Sequence, residues 1–102
     1  MNEEQKRLAE KFHNMHRGPE ILLLPNAWDA MSARIFASAG FDAIATTSGG
    51  LAWALGFPDG EWAPWSEVVA ATERIARTVR VPVTADIEGG YGETPDEVAG
   101  NV

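Results

Sequence analysis

Two carboxylates separated by one residue, Asp86 and Glu88, close an apolar run and precede the turn Gly89-Gly90-Tyr91-Gly92. In an extended strand, residues two apart project to the same side, so the pair would face one site at the strand's end. Like charges placed together are costly unless a cation or water lies between them. Magnesium suits such a pair, because it takes hard oxygen ligands, keeps several waters and needs only one or two protein carboxylates. Solvated loop carboxylates, or an Asp86 that merely caps a turn, fit the spacing equally well. A second candidate is Ser48-Gly49-Gly50, a small hydroxyl beside backbone that a ligand can approach closely. Amides in such a turn suit a carboxylate or phosphate, although a plain flexible turn has the same composition.

Other residues carry less. No G-x-G-x-x-G and no Gly-Lys-Ser/Thr is present, which disfavours NAD and ATP. His13 and His16 have a chelating spacing but no third ligand nearby, and read as solvated or packing residues. Trp53, Trp62 and Trp65 are expected to pack a long loop against its scaffold. The arginines at 34, 74, 77 and 80 fall on helices and read as solvated faces.

The chain that must position these residues has 102 residues, 45% of them hydrophobic, which fits one small globular domain. Its net charge is −7, from 15 acidic and 8 basic residues, and no basic stripe offsets it, so nucleic acid would be repelled. An anionic substrate would be repelled too, unless a divalent cation reversed the local field. There is no cysteine, hence no disulfide or thiolate metal site. No apolar run reaches the roughly 20 residues of a membrane span, and Met1–Lys11 lacks the apolar centre of a secretory signal. A cytoplasmic location is the expectation.

Periodicity gives an amphipathic helix over 2–17 with Leu8, Phe12 and Met15 on one face. A strand over 20–24, apolar without alternation, is expected to be buried on both faces. Asn26 would cap a helix to Ala39 with Trp28, Met31, Ile35 and Ala39 inward, stopped by a left-handed Gly40. A strand over 43–47 follows, then a loop over 48–65. Ser66 would cap a helix to Arg80 whose face is Val68, Val69, Thr72, Ile75, Ala76 and Val79, and Val81–Ile87 forms a third strand. Thr94-Pro95-Asp96-Glu97 combines an N-cap, a first-turn proline and a capping-box glutamate. Alternating strands and helices mean a parallel sheet covered by helices. Either a doubly wound sheet, including a flavodoxin-like one, or part of a (β/α)₈ barrel satisfies that pattern. In both, ligands collect at the carboxyl ends of the strands.

Taken together, Leu24-Pro25-Asn26-Ala27-Trp28-Asp29-Ala30, Thr47-Ser48-Gly49-Gly50, Leu55-Gly56-Phe57-Pro58-Asp59 and Ala85-Asp86-Ile87-Glu88-Gly89-Gly90-Tyr91-Gly92 resemble the N-terminal part of the isocitrate lyase/phosphoenolpyruvate mutase family. The resemblance covers nearly everything from Ile21 onward. It implies an α/β fold, the parallel βαβαβ portion of a (β/α)₈ TIM barrel truncated after its third strand, as one partial domain over 1–102. It implies Mg²⁺, a small 2-oxo or hydroxy carboxylic acid as substrate, and a homo-oligomer in the full-length form. By position, Asp86 and Glu88 would serve the metal, although many members carry Asp at the second place. Ser48, Gly49 and Gly50 would bind the substrate carboxylate, and Asp59 would be the mobile-loop aspartate near the reacting group. The expected reaction is C–C cleavage of the 2-methylisocitrate lyase type. P–C chemistry of the mutase or hydrolase type is the alternative within the family, and a non-catalytic, self-associating remnant the alternative outside it.

Overall fold

A computed structural model describes all residues from 1 to 102. It is an α/β structure of five helices on a three-stranded parallel sheet in the order β1-β2-β3. Helix α1, Glu3–Met15, begins at Asn2, whose side chain accepts from the Gln5 amide while Gln5 returns a bond to the cap. No residue of α1 is fully buried, but the half-buried ones are Leu8, Phe12 and Met15, the expected face. Leu8, Ala9 and Phe12 line a groove of about 340 Å³ opposite Ala76 and the start of the third strand, so α1 lies at the amino-terminal end of the sheet.

The first strand is β1, Asn26–Ala27, in register with Ala45 and Thr46 of β2, Ile44–Thr46. It sits later than the apolar run 20–24, and that run is not buried on both faces: Ile21 is 86% and Leu23 65% exposed. Exposure alternates along it, Leu22 and Leu24 being half-buried, so the run has one covered face and one open face. Because Asn26 belongs to the ladder, it cannot cap the next helix. The cap passes to Asp29, which accepts from the Ser32 amide at 2.7 Å and opens α2, Ala30–Ser38. That shift changes the inward face. Ser32 and Ala33 are buried with Phe36 and Ala37 against the core, while Met31, Ile35 and Trp28 stay exposed. Gly40 is left-handed, with φ +98°, as its position demands.

The segment from Ser48 to Trp65 is not all loop. Thr47 caps a helix, α3, Ser48–Leu55, which ends at the left-handed Gly56. Two glycines in a first turn conceal a helix from propensity, but the cap and the buried Leu51 and Ala52 supply what they withhold. Helix α4, Trp65–Thr78, starts from Pro64 with no side-chain cap, so Ser66 lies inside the helix. Its inward residues are Val68 and Ile75, whereas Val69 and Ala76 face out. The third strand, β3, is only Val83–Thr84, in register with Ile44 and Ala45. Helix α5, Pro95–Asn101, begins at Thr94 with the expected capping box. The core is small, with Ile44 and Ile75 its largest fully buried side chains. Each such side chain contributes about 1.5–3 kcal/mol by leaving water.

Candidate active site

The carboxyl ends of all three strands meet at one end of the sheet. Thr46, the last residue of β2 and 3% exposed, accepts through Oγ1 the amide of Asp86 at 2.9 Å. Thr47 follows, its Oγ1 accepting from Gly50 at 3.2 Å. Asp86 and the Ser48-Gly49-Gly50 turn are thereby placed beside each other, across the β2–β3 boundary. The turn is the first turn of α3, so its amides point out along the helix axis. Gly50 donates to the cap, while the Ser48 and Gly49 amides donate to no protein acceptor. A helix amino terminus with two free amides suits an anionic group.

Both glycines lie close against their neighbours. A Cβ on Gly49 would stand 3.3 Å from Asp59 Oδ2, so Asp59 lies directly against the turn. On Gly50 it would meet Thr47 Cγ2 at 2.7 Å and Trp28 Cβ at 3.0 Å, which joins the end of β1 to the same place. The residues that the family resemblance assigned to one site are brought together.

Glu88 departs from the expected arrangement. Regular strand ends at Thr84, and Glu88 has φ +56°, so the alternation that would aim it alongside Asp86 is broken. Its Oε1 accepts the Gly60 amide and its Oε2 the Glu61 amide, each at 3.0 Å, and the Tyr91 hydroxyl reaches Oε2 at 3.3 Å. Glu61 answers by accepting the Gly89 amide at 2.9 Å. The sequence reading passed over Glu61, whose only signal was its place directly after Asp59-Gly60. Asp86 is different: Oδ1 accepts the Glu88 amide at 3.0 Å, the side chain is exposed, and Oδ2 has no protein partner.

Four carboxylates, Asp59, Glu61, Asp86 and Glu88, thus share this end of the sheet without a basic partner. The ion pairs of the chain, Lys6–Glu3 and Arg7–Glu4, are both on α1. Yet no three acidic or histidine side chains converge to cage an ion. Asp86 Oδ2, Asp59 Oδ2 and Glu61 Oε1 accept no hydrogen bond, and the donor set fits a cation anchored by Asp86 at the strand end and completed by water, in the manner of magnesium. Glu88 is engaged elsewhere, each of its oxygens accepting a backbone amide of the Asp59 loop.

The Tyr91 hydroxyl registers the negative field. Burial first, then the Glu88, Glu61 and Asp59 carboxylates, push its pKa up to about 12. The fold favours the neutral phenol, so the stability it contributes is complete below the ordinary value of about 10 and is lost as pH rises toward 12. Tyr91 is the chain's single tyrosine. Ultraviolet titration of the phenolate is therefore expected to show a midpoint well above that of the denatured chain, and equal midpoints would contradict this placement. Its ring stacks on Trp65, centroids 4.9 Å apart. Trp53 and Trp62, expected to pack the loop, are instead 71% exposed each.

Comparison with known proteins matches this geometry to a family. The model of the phosphoenolpyruvate phosphomutase family matches residues 12–102. An uncharacterised protein of Mycobacterium tuberculosis is 40% identical over 86% of this chain and 34% of its own length. The 2-methylisocitrate lyase of Halalkalibacterium halodurans is 33% identical over 86% of this chain and 29% of its own. Among solved structures, 2,3-dimethylmalate lyase, a member of the PEP mutase/isocitrate lyase superfamily, superposes with a TM-score of 0.79 at 32% identity, covering 92% of this chain and 33% of that one. The chain spans about a third of the length of these relatives, and its parallel sheet corresponds to the first strand–helix units of their TIM barrel. No helix is long and apolar enough to cross a membrane. By motif order, strand-end geometry and these matches, the chain belongs to the phosphoenolpyruvate mutase/isocitrate lyase family.

Proposed function

We propose that this chain supplies the metal-anchoring and carboxylate-binding part of a magnesium-dependent lyase site. The substrate class is small 2-oxo or hydroxy carboxylic acids, and the reaction is C–C cleavage of the 2-methylisocitrate lyase type. The observation that carries the reading is a single juxtaposition. Asp86, with one oxygen uncommitted, is tied by its own amide to Thr46, while two free amides open α3 immediately beyond it.

In this reading the Ser48 and Gly49 amides and the Ser48 hydroxyl receive a substrate carboxylate, drawing on the positive end of α3. Asp86 holds magnesium, which when bound supplies Lewis-acid stabilisation of charge developing on a 2-oxo acid. Asp59, pressed against Gly49, closes the site beside the reacting group and excludes water. The cation also offsets the repulsion that four carboxylates would otherwise exert on an acidic substrate. Relatives named for phosphonate chemistry, including a candidate phosphonomutase structure from Burkholderia cenocepacia at 45% identity, favour P–C cleavage as a second reading of the same site.

Calorimetric titration with oxalate, a small planar dicarboxylate, tests the shared part of both readings. Oxalate is expected to bind at least about tenfold more tightly with Mg²⁺ present than without it, a coupling of about 1.4 kcal/mol. Equal affinity in the two conditions would sink the proposal.

A further inference from the structure

We infer that Glu88 is a latch, reciprocated by Glu61, that fastens the Asp59-bearing loop to the turn after β3. It is a positioning residue and not a metal ligand. Three amide-to-carboxylate bonds join segments 27 or 28 residues apart in sequence: Gly60 and Glu61 donate to Glu88, and Gly89 donates to Glu61. Each glutamate thus accepts from backbone next to the other. No other side-chain hydrogen bond joins the Asp59 loop to that turn.

Backbone conformation supports the assignment. The non-glycine residues with positive φ are Glu61, Glu88 and Tyr91, all within this contact. Such conformations cost free energy and persist where the surroundings over-determine them. Here the carboxylate of the left-handed Glu88 meets the Gly60 and Glu61 amides. Gly89 is fitted to the same contact, because a Cβ there would stand 2.7 Å from Glu61 Oε2. Asp59 is carried along: the Gly60 amide that donates to Glu88 also donates to Asp59 Oδ1 at 3.0 Å. Holding that amide fixes the residue beside Gly49. The inference deepens the proposed function, and rests on it only for what Asp59 does once held.

The two glutamates differ in a way that makes a test. Glu88 uses both oxygens, whereas Glu61 uses one. In Glu88→Gln the new NH₂ must face a backbone N–H, donor against donor, and one bond is lost. In Glu61→Gln the side chain can turn its remaining oxygen to Gly89. Amide hydrogen exchange by NMR on the 102-residue chain reads the difference. Glu88→Gln is expected to speed exchange at Gly60, Glu61 and Gly89 by about tenfold, the factor for one lost hydrogen bond to a charged group. The same substitution should leave the buried amide of Ile75 unchanged. Glu61→Gln should stay within about threefold of the parent at all of these amides. Unchanged exchange in Glu88→Gln, or equal acceleration at Ile75, overturns the latch. Mg²⁺ titration of the same variant separates the roles: affinity within about 100-fold of the parent supports a positioning role, and a larger loss returns Glu88 to the metal. Should the parent bind no Mg²⁺, the proposed function fails while exchange still decides the latch.

Discussion

Gly90→Ala is expected to cost about 3 kcal/mol and to release α5 from the rest of the chain. Gly90 is buried with φ +90°, a conformation that costs an L-residue about 1–2 kcal/mol. A Cβ there would stand 2.5 Å from Val98 Cγ1 and 3.1 Å from Val98 Cγ2, and overpacking of this kind costs about 1–3 kcal/mol. Relief can come only from moving α5, which is clamped to the same turn by Asn101 Nδ2 donating to the Gly90 and Tyr91 carbonyls at 2.9 and 3.0 Å. Gly100 supplies the control. It lies in α5 with nothing near its absent Cβ, so Gly100→Ala should stabilise by about 0.5–1 kcal/mol through helix propensity. Urea denaturation of the two variants checks both signs. A Gly90→Ala loss below about 1 kcal/mol would mean that the turn and α5 are not packed as described.

The consequence reaches the site. The turn that Gly90 allows is the one whose Gly89 amide meets Glu61 and whose Tyr91 meets Glu88 and Trp65. Loosening α5 therefore loosens the Asp59 loop, even though no residue of α5 touches a candidate ligand group. On this account Gly90→Ala should speed exchange at the Gly60 and Glu61 amides as well.

How much of this was legible in the sequence varied with how local the cause was. The capping box at Thr94 and the left-handed stop at Gly40 depend on neighbours a few residues away, and both were readable. The parallel order of the sheet followed from alternating elements, because few architectures accept that pattern. Three features are placed differently by the structure. Asn26 looked like a cap until its pairing with Ala45 claimed it for the ladder. Ser48–Leu55 looked like loop because Gly49 and Gly50 depress helix propensity, whereas Thr47 and the buried Leu51 sustain it. Glu88 was placed alongside Asp86 by extending strand geometry past Thr84, whereas Glu88 is left-handed and its carboxylate meets the Gly60 and Glu61 amides.

The candidate site divides along the same line. Asp86 and Ser48-Gly49-Gly50 were singled out from residue type and strand-end position and Asp59 from the family resemblance, and the structure puts them at one end of the sheet. Thr46, Glu61 and Tyr91 were missed. Their parts lie in bonds across 40, 28 and 3 residues, and no spacing rule encodes the first two.

Asp86→Asn is the variant with the largest expected effect on binding. Asparagine keeps an oxygen for the Glu88 amide and nearly the same volume, so the turn after β3 should survive. What it removes is the charge on the strand-end carboxylate whose second oxygen is uncommitted. Loss of a partner outside a metal's immediate ligands typically weakens affinity by about 10- to 100-fold. Loss of the anchoring carboxylate itself should exceed about 100-fold. Calorimetric titration of Mg²⁺ into the parent chain and Asp86→Asn is the most direct measurement, with Ile75 amide exchange confirming an intact core. The account predicts binding in the parent and none measurable in the variant. Equal Mg²⁺ affinity in the two would contradict it.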